Sequence, residues 1–404
     1  MRRWLAALAG LLAAAACGQS GTPNPAATSA APPTSAAPTV TTSTTAAAPS
    51  SPPASPACGV TSAGWSLPQK AAQLVVAPTI GFDAAALRPV LATGVGGVLM
   101  LGNDVPGDLA GEIAAAQRAA AVPLLVMADQ EGGGVQRLGA AVTSLPWPRE
   151  MAASTTPAQV QSAASRLGRQ MRALGVNVDL APVLDVDARP GPSSSNPDGK
   201  RSFSGDPAVA AAYGTAFVRG LAGHVLAVAK HFPGLGGSTG NTDYGAGQTL
   251  PLSKLEQQAL PVFAAAISAG VPAVMVANAA VPGIGATPAS LSSTVIDGLL
   301  RQRLGFTGLV VTDSLSAGAI SAAGYDVPHA TVAAIRAGAD VVLFGSTLTS
   351  QQKALLAPDR VAGTVNDIVR QLVAAVHDGT LPQNRLDAAA AAVARAKTRD
   401  LCAG

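Results

Sequence analysis

Eight short apolar runs, each separated from the next by a stretch long enough for a helix, constrain this chain more than any other feature. The runs are Gln73–Val76, Val95–Leu101, Leu124–Met127, Val176–Leu184, Val225–Ala229, Ala273–Val276, Leu309–Thr312 and Val341–Phe344. They are continuous in apolar character, the pattern of strands buried on both faces, and parallel strands of that kind need helical crossovers. Ala-rich segments fill that role at 109–120, 158–174, 207–222, 254–269, 293–304 and 327–337. Eight strand-helix alternations over about 340 residues predict an α/β fold, a single (β/α)8 barrel of TIM type. Gly338-Ala339-Asp340 before the last strand and Leu381–Asp387 before the last helix read as turns and caps.

Three of the runs end in dense polar motifs: Asp129-Gln130-Glu131-Gly132-Gly133, Lys230-His231-Phe232-Pro233-Gly234, and Thr312-Asp313-Ser314-Leu315. In a parallel barrel the carboxyl ends of the strands form one rim, where such enzymes keep their chemistry. Three polar strand ends therefore predict an active site on that rim. Asp313 is a candidate nucleophilic carboxylate, although an Asp just after a strand also caps a following helix. A Gly-rich turn is the simpler reading of the Asp129 motif, and a satisfied core residue that of His231. No Cys/His grouping has metal-ligand spacing and no Gly-rich run carries the Lys-Ser/Thr of a phosphate loop, so neither a metal nor a cofactor is expected.

Together these motifs resemble the β-N-acetylglucosaminidases of glycoside hydrolase family 3, the NagZ type, and among them the actinobacterial lipoproteins; the resemblance runs from about Gly64 to Ala396. It implies exo-hydrolysis of terminal GlcNAc from peptidoglycan-derived fragments through a covalent glycosyl-enzyme intermediate. Asp313 matches the family's aspartate nucleophile. Asp129-Gln130-Glu131-Gly132-Gly133-Gly134-Val135-Gln136-Arg137 resembles the family's "DxEGGRVQR", which assigns Asp129 and Arg137 to sugar hydroxyls and puts Gly134 where an Arg is frequent. Lys230 and His231 match its Lys-His pair, and Arg201 a further sugar-binding Arg; as nearby cations Lys230 and Arg201 are also expected to lower the nucleophile's pKa. Asp185, in Ala181-Pro182-Val183-Leu184-Asp185-Val186, is expected either to support the site by bonding Lys230 or Arg201 or to be purely structural. Asn278 stands where relatives commonly have His. Larger members add an α/β sandwich domain that supplies the acid/base; about 60 residues follow the last strand here, which leaves the chemistry to the barrel.

One loop departs from the pattern. The NagZ motif "KHFPGHGxxxxDSH" delivers a His acid/base oriented by an Asp, whereas this chain reads Lys230-His231-Phe232-Pro233-Gly234-Leu235-Gly236-Gly237-Ser238-Thr239-Gly240-Asn241-Thr242-Asp243. Aligned without gaps, Asn241 replaces the orienting Asp and Asp243 the catalytic His. A carboxyl group donates a proton to a glycosidic oxygen when burial or a neighbouring carboxylate raises its pKa, so Asp243 is the expected acid/base. The alternative is an Asn-Thr-Asp turn with no part in the chemistry. Two other functions stay open: a different exo-β-glycosidase specificity, such as β-glucosidase, and a wall-glycan-binding lipoprotein whose altered loop has lost catalysis.

The first 16 residues, Met1-Arg2-Arg3 and an apolar run from Trp4 to Ala16, have signal-peptide architecture and are too short for a permanent span. Ala14-Ala15-Ala16-Cys17 resembles a lipobox, making Cys17 the expected lipidated residue and anchoring the mature protein to the membrane; simple secretion is the alternative. Residues 17–61 are Ala, Ser, Thr and Pro-rich, too apolar-poor to repay ordering, and form a tether on the order of 100 Å when extended. The catalytic barrel is assigned to residues 62–404. Cys58 and Cys402 remain as an even pair, expected to form a disulfide in an exported protein, or else two free thiols. Net charge is +3, or 3 − 2 = +1 without Arg2 and Arg3, with 12% charged residues and no basic cluster. Nucleic acid is therefore not an expected partner; a GlcNAc-containing glycan or muropeptide bound by a monomer is.

Overall fold

A computed structural model describes residues 59–402. Eight parallel strands form its centre: β1 (Val75–Ile80), β2 (Gly97–Leu101), β3 (Leu125–Ala128), β4 (Val178–Asp179), β5 (Leu226–Phe232), β6 (Ala273–Val276), β7 (Leu309–Thr312) and β8 (Val342–Leu343). Each pairs with its sequence neighbour from β1 to β7, and β8 returns to β1 with Val342 opposite Val75. A bridge between Val311 and Val341 completes the circle. The expected (β/α)8 barrel is therefore present. Its strands are buried on both faces, as in the uninterrupted runs of β3, β6 and β7.

The helices around it bury one stripe each. Helix Pro157–Ala173 starts at a capping box in which Thr156 and Gln159 bond one another's backbone N–H, and it turns Val160, Ala164, Leu167 and Met171 inward at helical spacing. Helix Val327–Ala337 matches its expected span and ends on Gly338, whose φ of 115° is the left-handed cap conformation.

Several boundaries differ from the sequence reading for identifiable reasons. Gln73 ends a helix, Leu67–Gln73, and its buried side chain bonds the Gly94 carbonyl and Lys397; an apolar helix end running into a strand looked like one strand. The long fourth run makes ladder contacts at Val178 and Asp179 and an isolated bridge at Val183, since Pro182 between them has no N–H to give. Conversely β5 runs on through Lys230, His231 and Phe232, so its polar motif is strand, not loop. Segment 254–269 is two helices, Leu252–Gln258 and Leu260–Ser268, with Pro261 starting the second. Segment 293–304 is a π-helix at Thr294–Arg303, and the last helix begins already at Gln383, inside the stretch read as a turn.

The two ends of the described chain meet. Val60 N–H donates to Thr398 Oγ1 at 2.9 Å, and the Thr398 hydroxyl donates to the Val60 carbonyl at 3.1 Å. The expectations resting on Cys17 and Cys58, lipidation and a Cys58–Cys402 disulfide, lie outside the described residues, as do the signal and most of the tether.

Candidate active site

Asp129, Arg137, Arg201, Lys230, His231, Asp243 and Asp313 all line one cavity of ≈ 290 Å³ at the carboxyl ends of the strands. These are seven side chains that the motifs singled out from scattered parts of the sequence. Asp185 lies directly beneath them.

The floor is a charged cluster. Glu131 sits in a hairpin formed by Gln130–Gly132 and Val135–Gln136, and its carboxylate receives Arg201 Nη2 at 2.7 Å and Nε at 2.8 Å. Lys230, projecting from β5, contacts Glu131 at 2.6 Å and Asp129 at 2.5 Å. Lys230 and Glu131 are almost completely buried, whereas the Asp129 side chain keeps 17% exposure towards the cavity. Burial alone would raise the Glu131 pKa, but Arg201 and Lys230 outweigh it and hold the group far below its ordinary value. Burial likewise disfavours charge on Lys230, and Asp129 with Glu131 reverses that and raises its pKa. Glu131 is thus the pivot of the cluster, a role the sequence reading missed although the residue stood inside its motif. Arg201 spends three N–H groups on Glu131 and on the Pro197 carbonyl at 2.9 Å, so it reaches the cavity already fixed. Arg137 is tethered through Nη1 to Asn103 at 2.9 Å. At Gly134, where an Arg was noted as frequent, a β-carbon would lie 2.9 Å from the Trp147 ring, which occupies that space.

Asp185 departs from its expected partners, Lys230 and Arg201. Its carboxylate is turned by β5 geometry towards the next residues instead: it bonds His231 Nδ1 at 2.7 Å, His231 N–H at 3.2 Å and Leu235 N–H at 2.6 Å. Burial raises the Asp185 pKa to about 6, against these donors. Burial, reinforced by Arg201, lowers His231 to about 4, so at neutral pH the imidazole is uncharged and donates Nδ1–H to Asp185. Asp198, absent from the sequence reading, lies with them: polar atoms of Asp185, Asp198 and His231 are within 4.8 Å of one another. That is metal-ligand spacing, but the Asp185 oxygens are already committed to three N–H groups. Both Asp198 oxygens are buried away from any N–H or hydroxyl donor, and the polar group they meet is the Asp185 carboxylate. Burial and the Asp185 charge push the Asp198 pKa well up, which makes it a neutral acid beside an ionised one. The same burial raises Asp179, at the end of β4, one of whose oxygens accepts Gln130 N–H at 3.0 Å.

Asp313 follows β7 directly. Its N–H continues the ladder to the Val276 carbonyl at 2.9 Å, and its Oδ1 accepts Ser314 N–H at 2.7 Å. It caps no helix. The loop behind it is pinned by Ser314 Oγ to the Gly345 carbonyl at 2.8 Å and by Asn278 Nδ2 to the Ser314 carbonyl at 2.7 Å. Asn278 therefore braces the residue next to Asp313. The expectation that cations hold the Asp313 pKa down is corrected: burial, with the Asp243 charge, raises it against the Ser314 N–H bond and the Lys230 charge.

Asp243 lies on the rim of the same cavity. Asn241 Oδ1 accepts its N–H at 3.0 Å, so the Asn-Thr-Asp turn exists, and the Asp243 side chain lines the cavity all the same. Loss of water on the cavity side raises the Asp243 pKa, opposed by Arg201 and assisted by Asp129; the side chain stays open to solvent outside, which moderates the effect.

A family model for the N-terminal domain of glycosyl hydrolase family 3 matches residues 66–396. The chain belongs to glycoside hydrolase family 3. As a member of this family it is 36% identical over 344 residues to the beta-hexosaminidase LpqI of Mycobacterium tuberculosis, covering 81% of this chain and 82% of that one. A solved family 3 glycosyl hydrolase from Mycobacterium smegmatis superposes with a TM-score of 0.72 at 36% identity, over 82% of this chain and 97% of its own. The family 3 β-N-acetylglucosaminidase of Paenibacillus sp. FPU-7 gives 0.75 at 35% identity, over 84% of this chain and 64% of its own. This family 3 chain is a glycoside hydrolase, and its barrel is the family's catalytic fold.

Proposed function

We propose that this hydrolase is a retaining exo-β-N-acetylglucosaminidase, with Asp313 as nucleophile and Asp243 as acid/base. The observation that carries the reading is two carboxyl groups of raised pKa lining one cavity above a preformed Asp129–Lys230–Glu131–Arg201 cluster. A cavity of ≈ 290 Å³ is at the small end of ligand sites, about 300–1,000 Å³, and suits a terminal sugar better than a polymer threaded through. The names of the relatives, beta-hexosaminidase and β-N-acetylglucosaminidase, support GlcNAc as that sugar.

In the first step the Asp313 carboxylate forms a bond to the anomeric carbon while the protonated Asp243 gives its proton to the departing glycosidic oxygen. Two neighbouring carboxyl groups share one proton, and Ser314 N–H with the Lys230 charge favours the anion on Asp313. Once Asp313 is esterified its charge disappears, which lowers the Asp243 pKa. The Asp243 carboxylate then takes a proton from water as that water displaces the sugar from Asp313, and the starting protonation returns. Asp129, held by Lys230, and Arg137 bind ring hydroxyls; neutral His231 offers its remaining ring nitrogen to the cavity.

The natural substrate in this reading is a peptidoglycan-derived fragment, met outside the cell by a monomeric, lipid-anchored enzyme: residues 1–16 are removed, Cys17 is lipidated and residues 17–61 are the tether to the barrel at 62–404. No helix among the described residues is long and apolar enough to cross a membrane. The Val60–Thr398 contact favours a Cys58–Cys402 disulfide, since one cysteine lies just before the first of these residues and the other one turn after the second. Mass spectrometry of exported protein checks both points: a diacylglycerol adduct on Cys17 and loss of two hydrogens across the cysteine peptides are expected.

The activity test is turnover of 4-nitrophenyl β-N-acetylglucosaminide against the β-glucoside, with Asp313→Asn and Asp243→Asn alongside and the first-formed anomer followed by NMR. Preference for the GlcNAc substrate, a β-anomer product and loss of turnover in Asp313→Asn are expected. A preference for glucoside would move the specificity, and an α-anomer would overturn the two-step mechanism.

A further inference from the structure

The loop that carries Asp243 is fastened to the loop that carries Asp313. Gly318 N–H donates to the Asp243 carbonyl at 3.0 Å and Ala319 N–H to the Thr242 carbonyl at 2.9 Å, so the first free N–H groups of the short helix Gly318–Ala322 are satisfied by the Asp243 loop. The contact is close. A β-carbon on Gly318 would lie 2.5 Å from the Tyr244 carbonyl carbon, 2.7 Å from its oxygen and 2.7 Å from Gly245 N, all of them backbone atoms that cannot rotate aside. Three further ties hold the same loop: Asn241 Nδ2 to the Ser193 carbonyl at 3.1 Å, Thr239 N–H to the Gln248 carbonyl at 2.9 Å, and the burial of Thr242. The segment it is fastened to is itself rigid, since Ser316 Oγ accepts Gly345 N–H at 2.9 Å and Leu315 N–H donates to the Leu343 carbonyl at 2.8 Å at the end of β8.

We propose that Gly318 is a positioning residue: its missing side chain lets the Asp243 backbone dock on the Asp313 segment and so sets the distance between the two carboxyl groups. The inference rests on the reading of Asp243 as acid/base. In this docked position the loop is referenced to the Asp313 segment through two backbone bonds. Ala at 318 faces no backbone strain of its own but must push Tyr244 and Gly245 away by roughly 1 Å, a displacement that costs about 100-fold when it falls between reacting groups.

The experiment compares full-length parent, Gly318→Ala, Asn241→Ala and Asp243→Asn on aryl β-N-acetylglucosaminides from 2,4-dinitrophenyl to phenyl, with thermal melts of each. A good leaving group departs without a proton, so displacement of the acid alone steepens the dependence on leaving group. For Gly318→Ala the expected kcat/KM is within about threefold of the parent on the dinitrophenyl substrate and some 30- to 100-fold lower on the phenyl substrate. Asn241→Ala, which loosens the loop without a clash, should show the same pattern more weakly and stands in if Gly318→Ala does not fold. A uniform loss across the series in both variants, with Asp243→Asn leaving-group dependent, overturns the positioning role alone. Asp243→Asn that is indifferent to leaving group overturns the acid/base reading beneath it.

Discussion

Replacing Glu131 with Gln probes the charged floor with little change in volume. The carboxylate is 1% exposed and holds Arg201 through two hydrogen bonds of 2.7 and 2.8 Å and Lys230 at 2.6 Å, so almost no water is available to take over. Gln can accept from one of these cations but not neutralise either, and its amide N–H2 faces them as a like dipole. Removing one partner from a buried ion pair costs about 3–5 kcal/mol. Asp129 still pairs with Lys230, which places the expected loss near the lower figure, roughly 3 kcal/mol and a melting point several degrees lower. The control is Glu150→Gln: Glu150 pairs with Lys200 at 3.0 Å with both side chains about half exposed, and such pairs contribute at most about 1 kcal/mol. The pH dependence follows from the sign. The folded pKa of Glu131 is depressed below the ordinary 4.5, so its stabilisation is present above that value and is lost as pH falls towards the folded pKa. Parent and Glu131→Gln melting curves should thus be well separated at pH 7 and converge below pH 4.5. Equal melting points at pH 7, or a gap that widens on acidification, would refute the assignment of Glu131 as the ionised centre of the floor.

Two further outcomes follow from buried titratable groups. Burial raises the Asp198 pKa, and a raised folded pKa makes stability fall as pH rises above the unfolded value; Asp198→Asn, with no proton to lose, should match the parent at acid pH, melt at least as high as the parent at neutral pH and keep most activity there, and a large neutral-pH loss would contradict this. Lys397, buried with Nζ 2.6 Å from Gln73 Oε1, has its pKa lowered by burial to about 7, so it costs stability that grows as pH falls from 10.5 towards 7; Lys397→Met should melt higher than the parent at pH 7 and equally at pH 10.5, and a lower melting point at pH 7 would sink the argument.

The fold was legible because its signals were redundant. Eight continuous apolar runs and six Ala-rich segments pointed to one architecture, and boundary errors at Gln73 or Ala259 could not change it. The site was legible in its members, since the rim of a parallel barrel gathers whatever polar groups its strands end on, as it does Asp129, Lys230 and Asp313. Its wiring was not. Whether Asp185 bonds Lys230 or His231 depends on the course of β5, which runs on through two polar residues, Lys230 and His231, where a polarity reading ends it too soon. Asp198 sat in a loop of Ser, Asn, Pro and Gly with no local sign that it would be buried against Asp185. Glu131 and Asp179 did leave a signal, charge within or at the edge of an apolar run, which predicts either a buried partner or a raised pKa; Glu131 has the first, and burial gives Asp179 the second.

The most direct test of the account is to trap the glycosyl-enzyme. In 5-fluoro-N-acetylglucosaminyl fluoride the ring fluorine slows both steps while the fluoride leaving group restores the first, so the glycosyl-enzyme accumulates and peptide mass spectrometry locates the sugar. The account predicts one fluorosugar ester on the peptide containing Asp313, accumulating further in Asp243→Asn. Active enzyme that forms no adduct, or an adduct on Asp243 or Asp129, would contradict it.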